Sequence, residues 1–347
     1  MTTPAVPEGI PAGVPSGVPS GVPDEVMTLE QAAWFKEVAA RLVANVEQVL
    51  LGKPHVVQLA LTTLLSEGHL LLEDFPGTGK TSLARALAQT VGGTSNRIQF
   101  TPDLLPGDVT GMSMYDQKNG VFEFHTGPVF SNVLLADEIN RASPKTQSAL
   151  LEVMEESRVT VDGVTHSVPD PFMVIATQNP VEQAGTYRLP EAQLDRFLLK
   201  TTLGYPDAVS TRRILEGVRV KSHQRTLEPI LSVHDLRSMI ETAKLVTTDS
   251  AILDYVSRLV DATRSASEVR LGSSVRGALA LVRSSMTWAA LQGRTYVLPD
   301  DVKALAEPVL AHRLVLDPEA EFDGVTPTSV VGRILLDVVP PHERLSV

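Results

Sequence analysis

The sequence predicts an α/β protein in which a parallel sheet lies between helices and is followed by a small all-helical domain. Three short apolar runs, each ending in a polar cluster and separated by helical patterns, are typical of parallel strands buried on both faces. After about Tyr205 the chain shows four helix starts and no further convincing strand. The 347 residues are too many for one ordinary core and suffice for two domains.

The first 24 residues have a composition that does not support a packed core. They contain six prolines and a GVP unit repeated at Gly13, Gly17 and Gly21. Such a segment is expected to be disordered and to sample extended, polyproline-like conformations. Its role is either a tether or docking tail, or an inert leader.

The ordered region is predicted to begin at Thr28, which forms a capping-box pattern with Gln31. Helices are expected from there to about residue 50 and over 54–64, with strands over 69–73, 132–136 and 172–176. Four later helices are expected to begin at Ser232, at Asp249 or Ser250, at Ser273, and at Pro299-Asp300. The predicted domains are an α/β core over 25–205, a linker over 206–230 and a helical domain over 231–347.

Composition excludes several classes of protein and site. The chain is 43% hydrophobic and 20% charged, and no uncharged apolar run approaches the roughly 20 residues of a membrane-spanning helix. The first residues lack the basic and apolar regions of a signal peptide, so we expect a cytoplasmic protein with no membrane insertion. With no cysteine and eight scattered histidines, a disulfide, a thiol nucleophile or a protein-built metal cage is not expected. The net charge of −11 disfavours extensive binding to nucleic acid.

A glycine-rich loop lies between the first predicted strand and a helix. Strand, loop and helix in this order are the context of a phosphate-binding P-loop, in which backbone N–H groups surround anionic oxygens at a helix N-terminus. Lys80 is predicted to reach the β- and γ-phosphates, and Thr81 to contact Mg²⁺. The predicted nucleotide-binding residues are Asp74, Pro76, Gly77, Thr78, Gly79, Lys80, Thr81 and Ser82. Asp74 stands where the general P-loop pattern has glycine.

Two carboxylates follow the second strand, at Asp137 and Glu138. Their position places them at the carboxyl edge of the sheet, where α/β proteins bind ligands. Asp137 is predicted to hold Mg²⁺, and Glu138 to orient and deprotonate the attacking water. An isolated Asp-Glu pair is often only a charged turn, but its occurrence 57 residues after a P-loop lysine favours the catalytic interpretation.

Three further polar residues are candidates for catalysis. Asn179 follows the third strand and could bind the γ-phosphate or its water, or simply form a turn before proline. Arg196 lies in LPEAQLDRF at 189–197, and Arg276 lies in the first turn of a predicted helix. Each arginine alone is typical of a solvated or ion-paired surface residue.

Together these sites resemble the MoxR family of AAA+ ATPases. The residues that carry the resemblance are EDFPGTGKT at 73–81, ADEINRASPKTQSALLEVMEE at 136–156, ATQNP at 176–180, YRLPEAQLDRF at 187–197 and GSSVRGALAL at 272–281. They occur in the family's order and spacing, and the similarity extends over about residues 28–340. The resemblance implies an AAA+ P-loop core with a helical lid domain, and ATP and Mg²⁺ as cofactors. In this family an acidic residue is frequent at position 74.

The resemblance also assigns roles. It implies that Asn179 is sensor 1, Arg196 an arginine finger and Arg276 sensor 2. A finger acts across a subunit boundary, so the resemblance implies a homo-oligomeric ring, most simply a hexamer. Residues 107–127 and 156–171 resemble the helix-2 insert and the pre-sensor-1 hairpin, which would contact clients. The family is associated with partners that carry von Willebrand factor A domains, with metal insertion and with complex assembly, although no residue of this sequence identifies a partner.

Three functions are consistent with this resemblance. The leading one is a chaperone-like motor that uses ATP hydrolysis to remodel a protein partner. The alternatives are a slow nucleotide-dependent assembly switch and a DNA-dependent, helicase-like motor. Against DNA, the 156–171 segment offers only Arg158 and His166 as cations, beside Asp162 and Asp170. For Arg196 itself, the alternative to a finger is an ion pair within the subunit, with Asp195 or Glu191.

Overall fold

The computed structural model describes residues 26–75, 77–179, 187, 189–218 and 227–341, so the predicted 1–24 tail lies outside the described residues. The helices are α1 (Leu29–Glu47), α2 (Pro54–Leu65), α3 (Lys80–Thr90), α4 (Pro106–Thr110), α5 (Pro144–Glu156), α6 (Glu191–Leu194), α7 (Ala208–Val218), α8 (Val233–Ala243), α9 (Ser250–Ser265), α10 (Val275–Leu291), α11 (Pro299–Leu310), α12 (Pro318–Phe322) and α13 (Pro327–Asp337). The strands are β1 (Leu70–Glu73), β2 (Ser95–Gln99), β3 (Gly111–Asp116), β4 (Val121–Thr126), β5 (Val133–Asp137), β6 (Arg158–Val161), β7 (Val164–Ser167), β8 (Met173–Gln178), β9 (Leu199–Thr201), β10 (Val269–Leu271) and β11 (Val315–Leu316).

Five strands form the central sheet, in the order β2-β5-β8-β1-β9. Every adjacent pair is parallel. The predicted strands over 69–73, 132–136 and 172–176 are confirmed as β1, β5 and β8, which lie side by side in the middle of the sheet. The carboxyl ends of these three strands therefore meet at one edge, and their amino ends meet at the opposite edge.

Both faces of the sheet are covered, as the apolar runs predict. Along β1, Leu70 and Leu72 pack with α1, α2, α3 and the helical domain, whereas Leu71 packs on the other face with α5. Alternate side chains of one strand therefore enter two different cores. This arrangement explains why the central strands read as continuous apolar runs rather than as alternating patterns.

The edge strands β2 and β9 are not evident in the sequence. β2 consists of Ser95–Gln99 and buries only Ile98, because its other side chains lie at the exposed rim of the sheet. β9 has only three residues, Leu199–Thr201, and pairs with β1. β2 lacks the apolar pattern on which the sequence prediction depends, and β9 lacks the length.

The helical domain consists of α8 to α13. Its predicted starts agree closely with the structure: Ser232 caps α8, Asp249 caps α9 and Pro299 begins α11, while α10 is capped by Ser274 rather than Ser273. A short antiparallel pair, β10 with β11, was not predicted. Part of the predicted linker is also helical, because α7 occupies its first half.

The first two helices join the core to the helical domain. Thr28 caps α1 through the predicted capping box with Gln31. Buried residues of α1 and α2 belong to the same hydrophobic cluster as those of α10 and α11. In the part of the chain that the structure describes, no helix is both long and apolar enough to cross a membrane.

Two hairpins project from the core. β3 and β4 form one of them, within the predicted insert at 107–127, and β6 and β7 form the other, within the segment at 156–171. Both hairpins are outside the central sheet. They occupy the positions in the chain at which the resemblance predicts client-contacting elements.

Candidate functional site

The glycine-rich loop joins β1 to α3, as predicted. Gly77 and Gly79 have φ angles of 82° and 102°, which L-residues with a side chain rarely adopt. Gly79 is the N-cap of α3, so the first turn of that helix directs its N–H groups toward the loop. Lys80 is buried and its ammonium group donates to the carbonyl oxygen of Asp74 at 3.3 Å. This geometry can surround a phosphate with backbone donors and one cation.

The hydroxyl-bearing residues of the loop differ in their surroundings. Thr78 is buried and its hydroxyl donates to the carbonyl oxygen of Phe75 at 3.3 Å. Thr81 is exposed and Ser82 half-buried, both in the first turn of α3. Pro76, the remaining predicted nucleotide contact of the loop, lies outside the described residues.

Asp74 has a role that the sequence does not reveal. Its buried carboxylate accepts the backbone N–H groups of Leu203 and Gly204, the latter at 3.1 Å. The carboxylate thereby attaches the segment after β9 to the start of the P-loop. Next to it, the rings of Phe75 and Tyr205 stack with centroids 6.1 Å apart. Within the chain, the Asp74 carboxylate therefore holds this loop in place. That Asp74 also contacts the nucleotide stays a prediction.

Asp137, the last residue of β5, lies at the same edge of the sheet and is buried. Its carboxylate accepts a hydrogen bond from the Thr177 hydroxyl at 2.7 Å and forms an ion pair with Arg97 at 2.7 Å. Thr177 lies on β8 and Arg97 on β2, so both neighbouring strands hold this carboxylate. Neither partner was singled out in the sequence.

Glu138 has a positive φ of 57°, a conformation that costs a residue with a side chain about 1 to 3 kcal/mol. Its N–H donates to the Thr177 hydroxyl at 2.8 Å, which fixes this backbone against β8. Its carboxylate accepts from Gln99 at 2.7 Å and pairs with Arg141 at 3.0 Å. Gln99 and Arg141 therefore both restrain the Glu138 carboxylate, each through its Oε2 atom.

Asn179 directly follows β8 and is buried. Because β8 lies between β5 and β1, Asn179 follows the strand that separates Asp137 from the P-loop. The structure therefore brings the P-loop, both acidic residues and this asparagine to one edge of the sheet. That edge is where doubly wound α/β proteins bind their ligands.

The donors at this edge fit a magnesium ion held together with nucleotide. Mg²⁺ in such sites takes few protein oxygen ligands and completes its octahedron with phosphate oxygens and water. The Thr81 hydroxyl and the Asp137 carboxylate are oxygen donors of this type. Over the described ranges, no group of three or more His, Cys, Asp or Glu side chains could hold a metal ion.

Arg196 lies at the opposite edge of the sheet. It precedes β9, and the N–H of Leu198 donates to the carbonyl oxygen of His69, the residue before β1. Since β1 and β9 are parallel, Arg196 is near the start of β1, whereas the P-loop follows its end. The four residues of β1 span about 13 Å, at roughly 3.3 Å per residue. Arg196 is therefore separated from the P-loop of its own chain.

Arg276 lies with Arg196 and not with the P-loop. It occupies the first turn of α10, and both guanidinium groups pair with the carboxylate of Glu155, Arg196 at 2.8 Å and Arg276 at 3.0 Å. A cavity of about 340 Å³ between the core and the helical domain is lined by these three side chains. The ion-pair partner of Arg196 is thus Glu155, rather than the Asp195 or Glu191 considered from the sequence.

His69 links this edge to the interior of the sheet. Its buried ring accepts the N–H of Val174 at Nδ1, at 3.0 Å, so Nε2 carries the proton and donates to the carbonyl oxygen of Met154 at 2.9 Å. Burial lowers the pKa of His69 to about 4, so the ring is neutral at physiological pH. The neutral ring fixes the end of α5 immediately beside Glu155.

Comparisons with known proteins agree with this fold. Residues 69–199 match the ATPase family associated with various cellular activities (AAA), and residues 261–334 match the AAA lid domain. The chain is 48% identical to the uncharacterized protein YeaC of Bacillus subtilis over 88% of this chain and 96% of that protein. It is 43% identical to chaperone MoxR1 of Mycobacterium tuberculosis, over 92% and 84% of the two chains. The crystal structure of a candidate ATPase from Cytophaga hutchinsonii superposes with a TM-score of 0.85 at 38% identity, covering 90% of this chain and 98% of that one.

Proposed function

Since this chain belongs to the MoxR family of AAA+ ATPases, we propose that it works as a Mg²⁺-dependent hexameric ring that remodels or assembles a protein partner. ATP hydrolysis is the activity of the family, and the proposal concerns how the ring is built and what it acts on. We place the working ring in the cytoplasm. A partner with a von Willebrand factor A domain, and metal insertion as one outcome of assembly, are suggested by the family resemblance.

The observation that carries the proposal is the separation of the two halves of the site. Lys80, Glu138 and Asn179 belong to the carboxyl edge of the sheet, whereas Arg196 and Arg276 lie beyond its amino edge. Within one chain these arginines and the P-loop therefore lie at opposite ends of β1. A neighbouring subunit whose arginine edge faces this P-loop would complete the site, and repetition of such a head-to-tail contact closes a ring.

The roles of the residues follow from their chemistry. When bound, MgATP supplies an electrophilic γ-phosphorus whose oxygens are partly neutralised by the metal. Lys80 leaves its contact with the Asp74 carbonyl to pair with the phosphates, and Asn179 orients the γ-phosphate or the water. Glu138 accepts a proton from the attacking water once Gln99 and Arg141 release its carboxylate. Thr81 and Asp137 would hold the metal ion.

A protein client is favoured by the surface of the β3–β4 hairpin. Five of its exposed side chains are large and apolar or aromatic: Met112, Met114, Tyr115, Val121 and Phe122. Phe122 is 73% exposed and its ring lies 5.2 Å from that of Tyr115. Exposed apolar side chains grouped in this way are typical of protein-binding surfaces. Residues 107–127 contain three carboxylates and a single lysine, so the surface does not resemble a phosphate-binding one.

The β6–β7 hairpin supports the same conclusion. Its arginine, Arg158, pairs with Glu156 at 2.7 Å and is therefore partly neutralised within the chain. The ring of His166 stacks on Phe124 of the other hairpin, with centroids 4.1 Å apart. The two hairpins thus contact each other, and together they offer a mixed apolar surface rather than a basic groove.

The proposal can be tested by isolating the native complex with a hydrolysis-deficient protein. A tagged Glu138→Gln chain, produced in its own cells, is expected to retain a client protein when ATP is present and to release it with ADP. The parent protein treated in the same way is the control, because it hydrolyses the ATP and returns to the ADP state. Recovery of nucleic acid instead of a protein would contradict the proposal.

DNA should have little effect on the ATPase rate. With a net charge of −11 and the Arg158 cation already paired, few phosphates could be neutralised, so little counterion-release free energy is available. We expect the rate at physiological salt to change by less than about twofold on addition of single- or double-stranded DNA. A large stimulation would favour the helicase-like alternative.

A further inference from the structure

Arg196 and Arg276 both form an ion pair with the carboxylate of Glu155. Its Oε2 atom pairs with Arg196 at 2.8 Å, and its Oε1 atom pairs with Arg276 at 3.0 Å. Arg196 belongs to the α/β core and Arg276 to the helical domain, so this single carboxylate joins the two domains. Neither arginine is fully exposed, with 29% of the Arg196 side chain and 50% of the Arg276 side chain accessible.

A second carboxylate fixes the same junction. Asp195, next to Arg196 in the chain, accepts from the buried guanidinium of Arg313 at 2.7 Å and from the hydroxyl of Ser274 at 3.0 Å. Ser274 is the N-cap of α10, the helix whose first turn carries Arg276. The direction of α10 is therefore set by Asp195, while the ends of the two arginine side chains are set by Glu155.

The charges at this junction require such a carboxylate. Two guanidinium groups held close together repel each other, and each has a long side chain whose ordering costs entropy. A carboxylate between them offsets the repulsion and fixes both orientations. The Nε atom of Arg196 is buried and, among the described residues, has no hydrogen-bond partner. Arg196 therefore retains a donor that its pair with Glu155 does not use.

The carboxylate itself is held by the sheet. Glu155 follows Met154, whose carbonyl oxygen accepts from the neutral ring of His69, and His69 immediately precedes β1. β1 in turn leads into the P-loop. A continuous set of contacts therefore runs from the nucleotide loop of a subunit, along one strand, to the residue that orients its two arginines.

We propose that Glu155 is a positioning residue that orients Arg196 and Arg276 as one unit for the nucleotide of the neighbouring subunit. The inference rests on the proposed shared site and adds a specific residue to it. Glu155 acts on the side of the interface that donates the arginines. It does not contact the nucleotide of its own chain, and it sets how well both cations are aligned when subunits meet.

Substitution of Glu155 separates positioning from nucleotide binding. Glu155→Ala should lower kcat by about 10- to 100-fold, because small displacements of catalytic groups have effects of this size, and leave KM for ATP within about twofold. Glu155→Gln keeps the length and an accepting oxygen but loses the charge, so an intermediate kcat is expected. Glu152→Gln is the matched control, since it removes an exposed carboxylate from the same helix and should retain the parent kcat.

Mixing experiments then place Glu155 on one side of the interface. Glu155→Ala subunits have an intact P-loop, so Lys80→Ala subunits, whose arginines and Glu155 are intact, should restore activity to them. Mixing Glu155→Ala with Arg196→Ala should restore no activity, because neither subunit then presents a correctly oriented Arg196 to its neighbour. Parent or higher kcat in Glu155→Ala, or an impaired Glu155→Ala that Lys80→Ala does not rescue, would overturn the inference.

The shared site itself is tested separately by mixing Lys80→Ala with Arg196→Ala. If that pair shows no recovery although the subunits co-assemble, the proposed shared site is wrong. If that pair recovers and the Glu155 variants do not behave as described, only the assignment of Glu155 is wrong.

Discussion

A Glu138→Gln chain is expected to bind ATP with the parent affinity and to hydrolyse it at least about a hundredfold more slowly, because general-base catalysis contributes about 10²- to 10⁴-fold. The amide has nearly the same shape as the carboxylate and cannot accept a proton from water. Asp137, Thr81 and Lys80 are unchanged, so binding of the nucleotide and metal should persist. Single-turnover hydrolysis and isothermal titration with ATP measure the two effects separately.

This experiment also requires that the Glu138→Gln chain remains folded. The Glu138 carboxylate pairs with Gln99 and Arg141, and its backbone has a positive φ that is fixed by Thr177. The amide can keep an accepting oxygen toward these partners, so the fold should be retained, as an unchanged melting temperature would show. Glu319→Gln, an exposed change in the helical domain, is the matched control. Hydrolysis at the parent rate in Glu138→Gln would show that another residue is the base.

The parts of the site that depend on local sequence are those that the sequence predicts well. The P-loop and the Asp137-Glu138 pair each follow a buried strand directly, so their placement needs only the strand and its polar end. The central sheet supports this, because β1, β5 and β8 are the apolar strands that the sequence reveals. Because these strands are parallel, their carboxyl ends lie at the same edge of the sheet whatever the strand order, and the P-loop and the acidic pair lie there with them.

The parts that the sequence does not reveal depend on contacts between distant residues. Arg97 pairs with Asp137 across β2 and β5, and β2 has no apolar pattern because it is an exposed edge strand. Asp74 anchors Gly204, 130 residues further along the chain. In the sequence, Glu155 resembles an ordinary surface residue of an amphipathic helix. Only the packing of the two domains places Arg196 beside one of its oxygens and Arg276 beside the other. Such contacts are set by the packed arrangement of elements and not by local spacing.

Arg196→Ala is expected to retain ATP affinity and to lose about 10³-fold or more of the hydrolysis rate, the effect of an arginine finger where such residues have been dissected. The reason is geometric: Arg196 lies beyond the amino edge of the sheet, so in the proposed ring its charge would act at a neighbour's nucleotide. Arg212→Ala is the matched control, because it removes an exposed ion pair with Glu216 elsewhere in the chain. It should leave the hydrolysis rate unchanged.

An arginine that only stabilised its own subunit would behave differently. Arg196 also pairs with Glu155, so its loss could lower the melting temperature and reduce activity through partial unfolding. Measuring kcat of Arg196→Ala and of the parent protein well below the unfolding transition separates a loss of catalysis from partial unfolding. A folded Arg196→Ala protein with parent activity would exclude a catalytic role for this residue.

The most direct test of a site shared between subunits is the ATPase activity of Arg196→Ala mixed with Lys80→Ala. Each variant alone should be inactive, one lacking the finger and the other the phosphate-binding cation. In randomly mixed rings about a quarter of the head-to-tail interfaces combine an intact P-loop with an intact finger, so about a quarter of the parent activity should return. The recovery should increase with protein concentration until rings are complete. No recovery, with both variants folded and co-assembled, would contradict the account.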